Sequence, residues 1–226
     1  MSKDESKITS DITMYGATGF VGKYIAEYLL ESASANAKPI RLVLAGRDKA
    51  KLEKRMAGME AKDGSTMEVY VADASDLDGL TKMATQTKVV IACAGPFSRY
   101  GTNVVAACAT TGTDYVDITG EVTWAAQMRQ QFGEVAKKSG ARIISLSGFD
   151  SIPSDLSIFA AVEALRETRG EQVEIEKGTA WHCPSGAANA GTVHTAASMQ
   201  MDHKKMFFMD MALCARLHSW LMTLFV

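Results

Sequence analysis

Hydrophobic positions along the chain group into short apolar runs that alternate with longer amphipathic segments, from residue 12 almost to residue 170. The short runs are rich in Val and Ile, and most are continuously apolar, which is typical of parallel strands covered on both faces. These runs predict the following strands: Ile12–Tyr15, Ile40–Ala45, Met67–Ala72, Lys88–Cys93, Tyr115–Ile118 and Arg142–Leu146.

The segments between these runs have the spacing of amphipathic helices. The first has apolar residues every three or four positions, which predicts a buried stripe of Val21, Ile25, Tyr28 and Leu29. The predicted helices are Phe20–Glu31, Lys49–Gly58, Leu77–Thr85, Asn103–Thr110, Val122–Ser139 and Ser154–Glu167. Strands and helices that alternate in this way are joined by right-handed crossovers, which build a doubly wound, mostly parallel sheet. The predicted fold is a Rossmann-type α/β domain over residues 1–170.

The pattern changes near residue 170. Gln172–Cys183 predicts a longer strand, and a Met-rich stretch then leads to an apolar carboxyl end. Because residues 171–226 are too few to build a second core easily, we interpret them as a small or truncated α+β portion. It would begin a substrate or dimerisation domain. The uncovered apolar character of Met199–Met222 predicts a homodimer, and Ala212–Val226 raises the hypothesis of contact with a membrane interface.

Composition and charge narrow the class of protein. Of 226 residues, 47% are hydrophobic and 22% are charged, as in an ordinary globular chain. Lys and Arg number 24 against 26 Asp and Glu, and this balance argues against a nucleic-acid partner. The 4 cysteines form no CxxC pair, which argues against a zinc ribbon and fits a reducing compartment. Without a secretory signal or a spanning apolar run, we expect a cytoplasmic protein, soluble or attached to a surface.

The clearest motif directly follows the first predicted strand and opens the first predicted helix. A dinucleotide pyrophosphate needs a tight turn, a close backbone approach and unpaired amides at a positive helix end. Gly16 suits the turn, Gly19 the approach, and Gly22 the packing of helix on strand. The residues predicted to bind the cofactor here are Gly16, Thr18, Gly19, Phe20, Val21 and Gly22. The alternative is a flexible turn with incidental glycines.

The end of the second predicted strand bears on the choice between NAD and NADP. NAD enzymes usually place an acid here against the ribose 2′-hydroxyl, and Gly46 cannot serve in that role. Arg47 can pair with a 2′-phosphate through its planar guanidinium, which favours NADP over NAD. Two alternatives stay open. In the first, Arg47 is only an exposed loop residue without a contact to the cofactor. In the second, Asp48 binds the ribose of NAD instead of capping the next helix.

Two further segments at carboxyl ends of strands are candidates for cofactor contact. Asp73 follows the third strand, where it either faces the adenine or caps a helix with Ser75 and Asp76. The other segment follows the fourth strand, where a Rossmann crevice brings the nicotinamide. It consists of Ala94, Gly95, Pro96 and Phe97. Small residues there permit the approach of the cofactor and Phe97 is expected near its ring, although a plain Gly-Pro turn explains the same residues.

A hydride transfer also needs an acid, because it leaves an anion to be protonated. The Tyr and Lys pair of short-chain dehydrogenases is excluded, since no Tyr has a Lys four positions later. The candidates at the carboxyl ends of the later strands are Tyr100, Asp117 and Asp150, with Glu121 nearby. Each of these residues also has a purely structural interpretation. The tyrosine is then a residue at the rim of the sheet, and the acids cap the helices that begin at these junctions. We expect no metal site, because His182 and Cys183 are adjacent on a strand and point to opposite faces.

Five ordered segments resemble the saccharopine dehydrogenase-like oxidoreductases, a family that includes animal lipid-droplet-associated proteins and mycobacterial trans-acting enoyl reductases. They are GATGFVGKYIAEYL, LVLAGRDKAKLE, CAGPFSRYGTNVVAAC, TDYVDITGE and GFDSIPSDL. The resemblance implies that the glycine loop, Arg47 and the turn from Ala94 to Phe97 line an NADP-type cofactor, and that the reaction is hydride transfer. It also implies a hydrophobic or lipid-linked substrate and attachment to membranes or lipid bodies.

Two hypotheses from different classes follow. The first is an NADP(H)-dependent oxidoreductase that transfers hydride to or from a hydrophobic or lipid-linked carbonyl or enoyl substrate. The second is a non-catalytic NADP-binding scaffold or redox sensor, attached to a membrane or a partner protein. The absent Tyr and Lys pair and the short carboxyl-terminal portion motivate the second. An enzyme oxidises bound NADPH with a suitable acceptor, whereas a sensor leaves it unreacted.

Overall fold

The computed structural model describes residues 5–149, 151–170, 178–182 and 220–224. The chain divides into two compact units, Met1–Ser147 and Gly148–Val226. The domain boundary that the sequence suggests after residue 170 stays a prediction.

The first unit is built on a six-stranded sheet in which all neighbouring strands run parallel. Its strands are β1 Ser10–Tyr15, β2 Arg41–Gly46, β3 Thr66–Val71, β4 Thr87–Ala92, β5 Asp114–Asp117 and β6 Ile143–Ile144. The strand order is β3-β2-β1-β4-β5-β6, so the direction of winding reverses between β1 and β4. The carboxyl ends of these two strands therefore open a crevice of the kind in which doubly wound sheets bind ligands.

Helices cover both faces of this sheet. They are α1 Phe20–Ala35, α2 Lys49–Ala57, α3 Leu77–Thr85, α4 Phe97–Tyr100, α5 Thr102–Thr111 and α6 Val122–Ser139. One hydrophobic cluster joins Met14 and Leu44 to α1 and α2. A second joins Tyr15 and Val90 to α3, α5 and α6. Because Met14 and Tyr15 are consecutive on a strand, the clusters lie on opposite faces, and the predicted Rossmann-type fold is confirmed.

The structure differs from the sequence prediction in the orientation of α1. The buried residues of this helix are Gly22, Ala26, Leu30 and Ala33. Tyr28 is 67% exposed, so the prediction that it faces the core is wrong. Phe20 and Tyr24 are exposed on the same side, and their rings meet edge to face at 5.2 Å. Small residues pack against the sheet here because they let the helix approach the glycine loop closely.

An ion-pair network ties the amino ends of the central strands together. The carboxylate of Asp11 accepts hydrogen bonds from the Arg41 backbone N–H (2.9 Å) and Nε (3.2 Å). Lys88 Nζ lies 2.8 Å from the same carboxylate. The side-chain hydrogen bond from Arg41 is the main cause that holds the pKa of Asp11 well below its usual range. Asp11 therefore links β1 to both β2 and β4.

Replacing Asp11 by Asn is expected to lower the free energy of unfolding by about 1 kcal/mol at pH 7, since the pairs are partly exposed. The pKa is lowered in the native state, so this contribution is complete above the unfolded-state pKa of about 4. It is lost progressively as pH falls from there through the lower folded-state pKa. Urea denaturation at a series of pH values from about 7 down to about 2 measures the difference between wild type and Asp11→Asn. A difference that stays constant over the whole series contradicts the assignment, and Glu68→Gln on β3 controls for loss of an exposed carboxylate.

The second unit contains α7 Ile152–Arg169 and two antiparallel strands, β7 Gly178–His182 and β8 Trp220–Leu224. The predicted dimer and membrane segments fall mainly on residues 183–219, outside the described residues, and both stay predictions. No helix in the described part of the chain is both long and apolar enough to cross a membrane. Within the same described ranges, no three His, Cys, Asp or Glu side chains cluster as metal ligands would.

Candidate cofactor site

The glycine-rich loop lies between β1 and α1, at the crevice where the sheet reverses direction. Gly16 has a φ of +89°, a backbone conformation that favours glycine. A Cβ at Gly16 would lie 2.7 Å from the backbone N of Ala94, in the segment that follows β4. A Cβ at Gly22 would lie 2.8 Å from the carbonyl oxygen of Gly16. Glycine is therefore required at both positions for the loop to pack against β4 and α1.

The amino end of α1 has no side-chain cap. Its N-cap residue is Gly19, and the first turn contains no acidic residue. The first backbone bond of the helix runs from Lys23 N to Gly19 O, so the amides of residues 20–22 precede it and have no partner within the helix. An uncapped, positive helix end with outward amides is suited to a phosphate group. The loop thus has a geometry suited to the phosphate cradle that its sequence predicts, and cofactor binding by these residues stays a prediction.

Arg55 of α2 contacts this loop, which the sequence did not suggest. Its Nη2 donates a hydrogen bond to the carbonyl oxygen of Thr18 at 3.1 Å and approaches that of Gly19 at 3.5 Å. The side chain is half-buried. A guanidinium from another helix therefore holds the two carbonyl groups that precede α1.

Arg47, Asp73 and Tyr15 lie near one another at the carboxyl ends of the first strands. Burial raises the pKa of Tyr15 to about 12, and the charges of Asp73 and Arg47 act on it in opposite directions. Hydrogen bonds from Ser75 lower the pKa of Asp73, and the charge of Arg47 also contributes. Arg47 itself is exposed. A cation and an anion thus border the end of the sheet where the adenosine half of a dinucleotide binds in this fold.

The hydrogen bonds of Asp48 and Asp73 bear on the alternatives that the sequence leaves open for these residues. Asp48 is the N-cap of α2, where it accepts a hydrogen bond from Lys51 N at 3.0 Å. Asp73 accepts hydrogen bonds from Ser75 N at 2.9 Å and Ser75 Oγ at 2.7 Å, and Asp76 caps α3. Both acids therefore stabilise local turns, and an adenine contact by Asp73 stays a prediction.

The segment from Ala94 to Phe97 continues from β4 into α4. Its Gly95–Pro96 peptide bond is cis. The carboxylate of Glu121 accepts hydrogen bonds from Phe97 N at 2.6 Å and Ser98 N at 3.0 Å, which fixes the first turn of α4. The ring of Phe97 is 5% exposed and packs against Trp124, so it faces the core. In this segment Ala94 is partly exposed and Gly95 is exposed, whereas Pro96 and Phe97 are buried.

Comparisons with known proteins agree with this geometry. The family model described as the saccharopine dehydrogenase NADP binding domain matches residues 12–144, more than half of the chain. This match extends from β1 to β6 and includes the whole sheet. The chain belongs to the saccharopine dehydrogenase NADP-binding family.

The relatives of this NADP-binding domain are longer proteins. A trans-acting enoyl reductase of Mycobacterium leprae is 42% identical over 171 residues, which are 75% of this chain and 39% of that protein. A trans-acting enoyl reductase of Mycobacterium tuberculosis is 44% identical over 151 residues, 66% of this chain and 34% of that protein. The chain thus spans little more than a third of the length of the curated relatives it matches.

A solved structure supports the fold. Apo saccharopine dehydrogenase (L-Glu forming) of Saccharomyces cerevisiae superposes with a TM-score of 0.54 at 21% identity. The superposition covers 70% of this chain and 32% of the yeast chain. At this identity, the likeness concerns the arrangement of the sheet and helices.

The acids and phenol proposed as proton donors occupy different environments in this NADP-binding domain. Asp117 is fully buried, and its Oδ1 accepts hydrogen bonds from Thr119 N at 3.0 Å and Leu146 N at 3.1 Å. Burial raises the pKa of this carboxyl. Asp117 thus joins the ends of β5 and β6, which favours a structural role. Tyr100 is the last residue of α4 and is partly exposed, and Asp150 lies outside the described residues.

Sequence reasoning missed Arg55 and undervalued Glu121 in this domain. Arg55 is one of several basic residues of α2, and its distance from the glycine loop along the chain hides their contact. The sequence suggests Glu121 as a candidate proton donor or as an acid at the positive end of α6. The residue is 4% exposed, and its carboxylate accepts hydrogen bonds from the first amides of α4. The only sequence signal at Glu121 is its place just before α6. That position predicts a contact with α6, not with α4.

Proposed function

We propose that this domain binds NADP(H) across the crevice between β1 and β4 and forms the cofactor half of an NADP(H)-dependent oxidoreductase. The carrying observation is the contact between the glycine loop and Ala94, which only a glycine at position 16 permits. The match to a NADP-binding family supports the same conclusion. The proposal that the domain belongs to an oxidoreductase goes one step beyond cofactor binding. It is supported by the names of the longer relatives, which are trans-acting enoyl reductases.

Residues on both sides of the crevice fit the cofactor. The amides at the start of α1 would hold the pyrophosphate, with Gly19 leaving room for its approach. Arg47 would pair with the 2′-phosphate, since Asp48 is engaged as a helix cap. Ala94 and Gly95 would border the nicotinamide, held in place by Glu121 through α4. When bound, NADP(H) supplies or accepts a hydride.

The proposed substrate is a hydrophobic or lipid-linked carbonyl or enoyl compound. This proposal is supported by the relatives, which are named trans-acting enoyl reductases. The proton donor stays among Tyr100, Asp117 and Asp150, because the backbone amides engage only Oδ1 of Asp117.

Replacing Arg47 by Ala is expected to weaken NADPH binding about tenfold or more while leaving NADH binding unchanged. A hydrogen bond to a charged group contributes about 1.5–3 kcal/mol, and only NADPH has the 2′-phosphate. Titration of the full chain with each nucleotide, followed by nucleotide fluorescence, measures both affinities.

Two matched variants complete this test. Arg47→Lys keeps the charge without the guanidinium fork and should retain part of the NADPH preference. Lys38→Ala removes an exposed cation that precedes β2, at its opposite end, and should change neither affinity. Equal loss of NADPH and NADH binding in Arg47→Ala would place the arginine elsewhere on the cofactor. A wild-type chain that binds neither nucleotide would overturn the proposed function.

The same material separates the enzyme from a non-catalytic scaffold. Loss of NADPH fluorescence on addition of an enoyl or carbonyl acceptor supports the oxidoreductase. Binding without turnover across a panel of such acceptors supports the scaffold or redox sensor. This chain spans little more than a third of the length of its relatives. If the natural protein extends beyond this chain, turnover is measured on that longer protein.

A further inference from the structure

We infer that Arg55 is a positioning residue of the cofactor loop. It would hold the carbonyl groups of Thr18 and Gly19 so that the loop presents amides to the pyrophosphate, and it would add a positive charge beside that anion. This inference rests on the proposed function, since it concerns the same dinucleotide. It assigns a role in pyrophosphate binding to α2, an element outside the glycine motif.

The first argument is the geometry of the contact. Arg55 Nη2 lies 3.1 Å from Thr18 O and 3.5 Å from Gly19 O. Each carbonyl points opposite to the amide of its own peptide unit, because the peptide is planar and trans. The amide of residue 19 already donates to Gly16 O at 3.0 Å. The guanidinium reinforces that orientation through Thr18 O and, through Gly19 O, helps to fix the direction of the amide of residue 20. The amide of residue 20 belongs to the uncapped first turn of α1.

The second argument is the freedom of the loop without this contact. Gly16 and Gly19 lack a Cβ, and glycine adopts many backbone conformations at little cost. The N-cap of α1 makes no side-chain hydrogen bond that would lock the turn. A carbonyl that rotated toward the pyrophosphate would place a negative dipole against an anion. The backbone bonds from Gly19 N to Gly16 O and from Lys23 N to Gly19 O limit this rotation from within. Arg55 adds a hydrogen-bond donor from outside the loop, chiefly on the carbonyl of Thr18.

The third argument is the charge of Arg55. In the same helix, Lys49 pairs with Glu53 at 3.6 Å and Lys51 pairs with Asp48 at 3.2 Å. Among the residues that the structure describes, no carboxylate pairs with Arg55. Its hydrogen bonds go to neutral carbonyl oxygens, so its full positive charge stays beside the loop. A half-buried, unneutralised cation next to an anion site strengthens binding more than an exposed one does.

Nucleotide fragments separate this role from that of Arg47. ADP contains the pyrophosphate but no 2′-phosphate, whereas 2′-AMP contains a 2′-phosphate but no pyrophosphate. We expect Arg55→Met to weaken ADP, NADH and NADPH by the same factor of about ten and to leave 2′-AMP unchanged. We expect Arg47→Ala to weaken 2′-AMP and to leave ADP unchanged. Competition against NADPH fluorescence on the full chain measures each fragment.

Matched variants distinguish positioning from loss of folding. Arg55→Lys keeps the charge but not the planar fork, and should recover part of the ADP affinity. Lys54→Met removes an exposed cation one position earlier in α2 and should have no effect. Unchanged ADP affinity in Arg55→Met overturns the inference while the proposed function stands. Equal loss of ADP and 2′-AMP overturns it as well, since that is a general structural effect. A wild-type chain that binds no nucleotide overturns both.

Discussion

Gly16→Ala is expected to lower the free energy of unfolding by about 2–5 kcal/mol and to abolish dinucleotide binding. The φ of +89° is strained for any residue with a Cβ, at about 1–2 kcal/mol. The added Cβ would lie 2.7 Å from the Ala94 backbone N, and overpacking of this kind costs about 1–3 kcal/mol more. Relief of this clash moves the glycine loop away from β4, which opens the crevice. Urea denaturation and NADPH titration measure the two effects.

Gly140 provides the matched control for this substitution. It has a φ of +85°, and a Cβ there would meet no atom within 4 Å. Gly140→Ala thus introduces the same backbone strain at the end of α6 without a clash, and should leave NADPH affinity unchanged. If both variants lose equal stability and both bind NADPH normally, the close packing of Gly16 on Ala94 has no energetic importance.

Glu121→Ala is expected to destabilise the first unit by about 3 kcal/mol. The substitution removes a buried carboxylate and leaves the amides of Phe97 and Ser98 without their acceptor. An unsatisfied buried donor costs about 1–3 kcal/mol. The same change releases the first turn of α4, so the affinity for NADPH should also fall, because Ala94 and Gly95 precede that turn. Chemical denaturation and nucleotide titration are the measurements.

Glu134→Ala is the control for this variant, since it removes an exposed glutamate from the same helix. Its stability should stay within about 0.5 kcal/mol of wild type. Hydrogen exchange adds a local readout. The amides of residues 97 and 98 should exchange faster in Glu121→Ala than in Glu134→Ala. Equal exchange rates would show that α4 is held by the packing of Phe97 on Trp124 alone.

The strands and most helices of the first unit could be predicted because their signals are local. Each apolar run overlaps one strand of the sheet, although the strand predicted over Arg142–Leu146 is only Ile143–Ile144. The alternation of strand and helix limits the connections to a doubly wound order. Asp48 and Asp76 cap the helices that follow them, a relation of three residues that a sequence displays directly. The spacing of the glycines is a local signal of the same kind, because the conformation of that turn depends on residues that are neighbours in the sequence.

The features that escaped prediction depend on contacts between distant positions. The short helix α4 is stabilised by Glu121, which lies beyond a further helix and a strand, and the Gly-Pro pair before α4 predicts only a turn. Phe97 was expected at the cofactor ring but packs against Trp124 of α6. The apolar spacing of α1 predicts Tyr28 in the core, whereas the helix packs through Gly22, Ala26, Leu30 and Ala33. No local pattern distinguishes these outcomes.

The central position of β1 has a consequence for synthesis of the protein on the ribosome. Ile12 pairs with Leu42 on one side of the strand and with Val89 on the other. A nascent chain that has released β1, β2 and β3 holds half of the strands of the sheet, while the edge of β1 that pairs with β4 still lacks its partner. An open apolar edge is a template for pairing with other chains. The emergence of β4 is therefore the step that allows this edge to be covered.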